Sequence, residues 1–296
     1  MDCIAKISGL FERLDKNNIE KIPYGENNDI FAKVENKNLT GSIKDRPALQ
    51  MMLDAAKEGL IKEDTVFIEA TSGNMGISIS YLAREIGLKA LIVMPSSMSV
   101  ERREMIKRNG GELLLIEGGM KQCEEEVENL LKTRPNFLKL SQFENLSNPK
   151  AHYLTTAPEI QRYGHFDYIV MGIGTGGTIS GIGGYFKEKG FSTKIIGVEP
   201  EASPLLTKGQ AGPHKIQGIG ANFIPKTLNK DIVDEIIDVD GDKAILLAKD
   251  LKEKGISVGI SSGAALLGAL EIDKKTKGKK ILVIFPDNGD RYHGII

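Results

Sequence analysis

Six short runs rich in isoleucine, leucine and valine alternate along this chain with amphipathic stretches, and no other feature restricts its fold as strongly. VFIEA (66–70), ALIVMP (90–95), ELLLIEG (112–118), FDYIVMGI (166–173), KIIGVEP (194–200) and KILVIFP (280–286) are short and apolar, and most are bounded by glycine or proline. Such runs suit strands buried on both faces. Between them lie helical patterns such as RPALQMMLDAAKEGL, ISISYLAREIGL, EEEVENLLKTRP, KAILLAKDLKEKG and AALLGALEIDKKTKG. Strand–helix alternation repeated this often predicts an α/β fold with parallel sheets flanked by helices. No internal repeat or low-complexity tract breaks the pattern.

Length and charge narrow the field further. At 296 residues the chain is too long for one small core and suits about two domains. It is 41% hydrophobic and 27% charged, which excludes a disordered or fibrous protein. Lys and Arg total 39 against 40 Asp and Glu, so no bulk field favours nucleic acid or an anionic membrane, and neither is expected as a partner. Cys3, Cys123 and four scattered histidines lack metal-ligand spacing, so no metal site is expected. Charges interrupt the apolar stretch of MDCIAKISGLFERLDKN, so a secretory signal is not expected and the chain is read as cytoplasmic.

Residues 168–186 hold no charge, long enough on paper to cross a bilayer, but seven of these 19 are glycine. The block reads instead as strand, glycine turn and helix. Within it Gly172, Gly174 and Gly177 satisfy GxGxxG, and Glu199 follows 22 residues after Gly177, where a ribose-binding acid belongs in a dinucleotide fold. Three readings compete: a nicotinamide site, an ordinary glycine turn, and a cradle for one phosphate monoester. GTGGT (174–178) offers successive backbone N–H groups at a helix N-terminus. Its hydroxyls, Thr175 and Thr178, favour the cradle, because a dinucleotide loop needs close backbone approach more than hydroxyls.

Two further loops carry chemistry. In NLTGSIKDRPALQ (38–50), Ser42 and Asp45 form a capping-box-like helix start and place Lys44 in the first helical turn. The positive end of the helix dipole disfavours an ammonium there, so a desolvated Lys44 could be a neutral amine able to form a Schiff base. A solvated lysine on a capped helix is the plainer reading of that segment alone. In EATSGNMGIS (69–78), Thr71, Ser72 and Asn74 place donors at a helix N-terminus, suited to a carboxylate or to ordinary capping.

Taken together, NLTGSIKDR, TSGNMG, SQFENLSNPKAHY, GTGGT, HKIQGIGANF, GISSGAA and PDNGDRY resemble, in order, the cysteine synthases (O-acetylserine sulfhydrylases) and cystathionine β-synthase cores. These are fold-type II pyridoxal-phosphate enzymes, and the resemblance runs from about Ile22 to Tyr292. It implies a pyridoxal 5'-phosphate cofactor held covalently by Lys44, which also moves protons at the substrate Cα. It implies that Gly174, Thr175, Gly176, Gly177 and Thr178 hold the cofactor phosphate and that Asn74 meets the ring hydroxyl. Thr71, Ser72 and Gln142 would bind the substrate carboxylate. A small mobile domain (38–145), a larger cofactor-binding domain (1–37 plus 146–296) and a homodimer are expected on the same grounds.

Three positions depart from the family pattern. Met75 stands where TSGNTG has threonine, removing a hydroxyl beside the carboxylate site. Asn222 replaces the last glycine of HKIQGIGAGF, which brings an amide toward the reacting carbon and makes Asn222 a candidate catalytic residue. Asn288 takes the place of the serine of PDSGERY that meets the ring nitrogen, and its NH₂ could donate to an unprotonated nitrogen. Each alone also reads as divergence; Met75 and Asn222 together point to altered substrate choice. The resemblance therefore implies β-replacement, either O-acetylserine and sulfide giving cysteine, or cysteine as donor with release of hydrogen sulfide. The sequence runs only a short way past PDNGDRY, so no regulatory domain is expected there, and no haem-binding N-terminal extension is expected before the core.

Overall fold

The computed structural model describes residues 3–16, 18–292 and 294–296. In chain order its regular elements are α1 (Cys3–Glu12), β1 (Ile19–Lys21), β2 (Asp29–Val34), α2 (Asp45–Lys57), β3 (Val66–Ala70), α3 (Asn74–Ile86), β4 (Lys89–Pro95), α4 (Val100–Arg108), β5 (Glu112–Ile116), α5 (Met120–Thr133) and β6 (Phe137–Lys139). Then follow α6 (Ser147–Ala151), a π-helical turn (His152–Thr156), α7 (Ala157–Tyr163), β7 (Tyr168–Gly172), α8 (Gly177–Glu188), β8 (Lys194–Pro200), α9 (Leu205–Lys208), β9 (Glu235–Val239), α10 (Gly241–Glu253), α11 (Ile260–Lys275) and β10 (Lys280–Phe285). Packing divides the chain into two units: Met1–Leu14 with Lys44–Ser147, and Asp15–Ile43 with Asn148–Ile296.

The first unit is built on a four-stranded sheet in the order β5-β4-β3-β6, parallel throughout. One face packs on α5 through Ile68, Ala70, Val93, Cys123 and Val127. The second unit holds a six-stranded sheet, β1-β2-β10-β7-β8-β9, in which only the β1–β2 pairing is antiparallel. Its inner strands are apolar on both faces because both are covered. Val170, Ile196, Val198, Ile281 and Val283 enter the core on one side with residues of α10 and α11. Ile169, Met171, Ile195, Leu282 and Ile284 alternate to the other side, against α7 and α8.

The charge-free stretch 168–186 is divided between β7 and α8, and no described helix is long and apolar enough to cross a membrane. The sequence patterns miss β1, β2, β6 and β9, which are short or carry charge. In β2 that charge is Lys33, which is fully buried yet lies 3.0 Å from Glu35 and 2.8 Å from Glu159. Helix α1 packs in the first unit, whereas the expected boundaries put it with the larger domain. Its Ile7 and Leu10 are buried, Lys6 donates to the carbonyl of Ile86, and Arg13 just beyond it pairs with Glu85 at 3.0 Å.

Removing Lys33 leaves two buried carboxylates without their cation. Lys33→Ala is expected to lose about 3–5 kcal/mol of unfolding free energy in a urea titration. Lys33→Met, which fills the volume but not the charge, will not recover that loss.

Candidate active site

In an open parallel sheet, ligands settle outside the carboxyl ends of strands where the connections diverge to opposite sides. The second unit has such a point at β7. Its crossover through α8 leads to β8, while its other neighbour is β10, which pairs in turn with β2. Three loops therefore leave neighbouring strand ends: 35–43 after β2, 173–176 after β7 and 286–291 after β10. These carry, or lead directly to, the predicted glycine loop, Asn288 and Lys44.

The loops after β2 and β10 are stitched together. Ser42 and Asp287 form an isolated bridge, and Ile43 donates its N–H to Pro286 O at 2.7 Å. Asn288 donates its backbone N–H to Gly41 O at 3.2 Å, and Arg291 donates to Thr40 O. Gly41 has φ +82°, a conformation that glycine adopts without strain. The Asn288 side-chain oxygen accepts from Asp290 N–H at 3.1 Å and from Ser257 Oγ at 3.3 Å. Its Nδ2 hydrogens are left as the donors this side chain presents.

The glycine loop is shaped by close approach. A Cβ on Gly174 would lie 2.4 Å from Gly218 O, one on Gly176 2.6 Å from Leu228 Cβ, and one on Gly177 1.9 Å from Asn148 Oδ1. Gly176, at φ +81°, is the N-cap of α8. Thr175 is buried, and its hydroxyl accepts from Asn148 Nδ2 at 3.0 Å and Gly177 N–H at 3.3 Å. Thr178 is half-buried, with its hydroxyl 3.3 Å from His152 Nε2. The segment leading to Asn222 is tied to the same strand end, Gly220 donating its N–H to Ile173 O at 2.9 Å. Asn222 itself is exposed on the irregular loop two residues further on.

Glu199 has another task than ribose binding. It is buried, and its carboxylate accepts the N–H groups of Leu206 at 2.9 Å and Thr207 at 2.8 Å, opening α9. The spacing that mimics a dinucleotide fingerprint thus arises from a helix cap.

In the first unit the divergence falls at β3, which lies between β4 and β6. Thr71, Ser72, Asn74 and Met75 follow β3, and Gln142 follows β6, so all the predicted carboxylate-site residues leave adjacent strand ends. Thr71 Oγ1 accepts from Gly73 N–H at 3.3 Å, and Arg102 of α4 donates to Ser72 O. Asn74 opens α3 and is half-buried, whereas Met75 is 1% exposed and packs inside the unit. Lys44 is half-buried at the N-cap of α2, with no side-chain capping bond at that end. The N-cap position is thus Lys44 and not Ser42, whose backbone bridges to Asp287. Asp45, in the first turn, accepts from Ser78 Oγ at 2.7 Å and supplies the negative charge that the dipole favours.

Gln142 is buried at the start of a turn held by Glu69. The Glu69 carboxylate accepts the N–H groups of Ser141 and Gln142, each at 3.1 Å. Ser141 has φ +58°, alone among the described non-glycine residues in the left-handed region, at a cost of about 1–2 kcal/mol. Burial pushes the Glu69 carboxyl up to about 7, against the downward pull of those two N–H groups and of Lys139. Sequence reasoning passed over Glu69, although it is the one charge in VFIEA. It also passed over Asn148 and Arg102, whose roles rest on contacts that no local pattern announces.

Comparison with known proteins shows the family. A family model described as "Pyridoxal-phosphate dependent enzyme" matches residues 17–287. Cysteine synthase B of Campylobacter jejuni is 49% identical over 268 residues, covering 89% of this chain and 90% of that protein. A hydrogen sulfide-producing enzyme of Fusobacterium nucleatum superposes with a TM-score of 0.91 at 41% identity, covering 96% of this chain and 98% of the other. A cysteine synthase of Entamoeba histolytica superposes with a TM-score of 0.91 at 38% identity, covering 96% and 88%. The chain belongs to the pyridoxal-phosphate dependent enzymes, in the cysteine synthase family.

The residues present fit that cofactor: a glycine loop closed to side chains opens a helix of 12 residues, where backbone donors suit a phosphate. Gly176→Val, which is strained at positive φ and collides with Leu228, is expected to abolish most visible cofactor absorbance in the purified protein. Glu199→Ala is expected to keep that absorbance while losing about 1 kcal/mol of stability through the uncapped α9.

Proposed function

We propose that this chain catalyses β-replacement on an amino acid with a leaving group at Cβ, as a cysteine synthase does. The observation that carries the reading is the gathering of the predicted residues at the diverging strand ends of each sheet. When bound, the cofactor supplies an electron sink for the pair released at the substrate Cα. In this reading Lys44 holds it covalently, residues 174–178 hold its phosphate, Asn74 meets the ring hydroxyl and Asn288 the ring nitrogen. Thr71, Ser72 and Gln142 hold the substrate carboxylate, with Met75 backing the same loop.

Lys44, released as a free amine when the substrate's amino group takes its place, would accept the Cα proton, and the bond from Cβ to the leaving group would break with its electron pair going to that group. A nucleophile then adds at Cβ, surrendering its proton, and Lys44 returns a proton to Cα. With O-acetylserine and sulfide the products are cysteine and acetate. A second reading is favoured by Asn222 and by the likeness to a hydrogen sulfide-producing enzyme. There cysteine is the donor, hydrogen sulfide leaves, and water or a second amino-acid thiol adds, giving serine, lanthionine or cystathionine. A homodimer belongs to either reading.

Borohydride reduction of the yellow protein is expected to fix the cofactor onto Lys44, located by peptide mass analysis. Lys44→Ala is expected to lose that link and turnover. Reduction onto another lysine, or retained turnover in Lys44→Ala, refutes the proposal.

Asn222 decides between the two readings. Its amide adds one acceptor and two donors where the family has none, enough to hold an incoming water or amino acid. About 1.4 kcal/mol of preferential positioning changes a product ratio tenfold. Asn222→Gly is expected to shift products toward capture of free sulfide, measured by amino-acid analysis after incubation with L-cysteine and with O-acetyl-L-serine. An unchanged distribution with both donors leaves Asn222 without a role in partitioning.

A further inference from the structure

We infer that Glu69 is a positioning residue for the amino-acid substrate, acting through the Ser141–Gln142 turn. The inference rests on the reading of Gln142 as a carboxylate ligand. Gln142 begins the turn that leaves β6, and the chain reaches it through Ser141 at φ +58°. A serine gains nothing by itself in that conformation. Something must hold it there, and the Glu69 carboxylate does so with one oxygen for each backbone N–H. The turn then closes on itself, Glu144 and Asn145 both donating to Ser141 O at 2.9 Å. Glu69 is the penultimate residue of β3, two positions before Thr71, so one buried side chain joins the two strand ends from which the proposed carboxylate-site residues leave.

A carboxylate with 3% exposure is a costly way to hold a turn if stability were the only benefit. The charged groups acting on it are Lys139 on β6, which attracts, and Glu124 on α5, which repels. Glu124 and Glu128 bind the Lys139 ammonium at 2.7 and 2.9 Å and so weaken its support of Glu69. Burial holds the Glu69 carboxyl near 7. Above that pH it is ionised and accepts both N–H groups; below it, a bound proton sets an O–H against one of them. The linkage to stability has the opposite sign. A carboxyl raised in the folded state binds its proton more tightly there than when unfolded, so stability is lost as pH rises toward 7. The ionised form, which accepts both N–H groups, is thus kept at a cost in stability.

Glu69→Gln preserves shape but sets an NH₂ against one backbone N–H. The wild type is first shown to carry its cofactor on Lys44 and to consume L-cysteine or O-acetyl-L-serine, so that failure of the functional reading is seen separately. The variant is then expected to raise KM for that donor about tenfold while kcat changes little, as loss of uniform binding requires. The wild-type KM is expected to rise as pH falls through about 7, while the variant's stays high and level. In a Gln142→Ala background, Glu69→Gln is expected to add nothing further to KM. Adding Ser141→Gly, which takes the positive φ freely, is expected to restore much of the lost affinity. Unchanged KM in Glu69→Gln, or an effect that persists in full without Gln142, overturns the inference. Should Glu69→Gln not fold, Glu69→Asp is measured in its place against the same criteria.

Discussion

Strand β10 is paired on both sides by parallel strands, β2 and β7, and the placement of the candidate loops in the second unit depends on that ladder. Parallel pairing aligns carboxyl ends, so three loops distant in sequence emerge as neighbours. The register sets Val34 opposite Phe285 at the end of β2 and β10. From there the chain needs only a few residues to form the Ser42–Asp287 bridge. The loop that leads to Lys44 thus inherits its position from a core strand near the far end of the sequence. The first unit repeats the device with β3 between β4 and β6.

Such an arrangement leaves to backbone groups much of the binding proposed for the loop after β7. The loop after β7 has no room for side chains at Gly174, Gly176 or Gly177, because Gly218 O, Leu228 and Asn148 already occupy those directions. What remains at the start of α8 is a row of N–H groups and the hydroxyls of Thr175 and Thr178. Asn148 Nδ2 holds the Thr175 hydroxyl and its Oδ1 crowds Gly177, so one amide fixes the loop from behind. His152, in the π-helical turn, does the same for Thr178. Preorganisation of this kind removes the ordering cost that a flexible anion site would incur on binding.

How far all this can be read from sequence follows from how local each cause is. Strands apolar on both faces were legible, since Ile169, Val170 and Met171 are all buried whichever way they point. Strand β2 was not, because Lys33 looks like a surface residue until Glu159, 126 positions away, is beside it. Ser42 reads as a helix cap by spacing, but the N-cap of α2 falls two residues later, at Lys44. Glu199 reads as a ribose ligand by spacing, but α9 claims its carboxylate. The candidate site was legible mainly through whole motifs in order, and its supports, Glu69 and Arg102, were not. They lie outside those motifs and act on main-chain atoms, which leave no trace in residue type.

Asn288 shows how much one local network can settle about a proposed contact. A hydroxyl, as the family pattern has, can donate or accept and so suits a ring nitrogen with or without a proton. An amide is restricted by what its two ends already meet. The backbone N–H of Asp290 can only donate, so the Asn288 atom 3.1 Å from it must be the oxygen. Ser257 Oγ approaches that same oxygen and uses more of its accepting capacity. The side chain is therefore left with N–H groups to present, and a donor facing a ring nitrogen requires a lone pair there. An unprotonated ring withdraws electrons less strongly than a pyridinium. That suffices to expel a leaving group from Cβ and disfavours the longer-lived carbanion on which transamination depends. In the role proposed for it, asparagine at position 288 would narrow the family's chemistry toward β-elimination and replacement by fixing the direction of a single hydrogen bond.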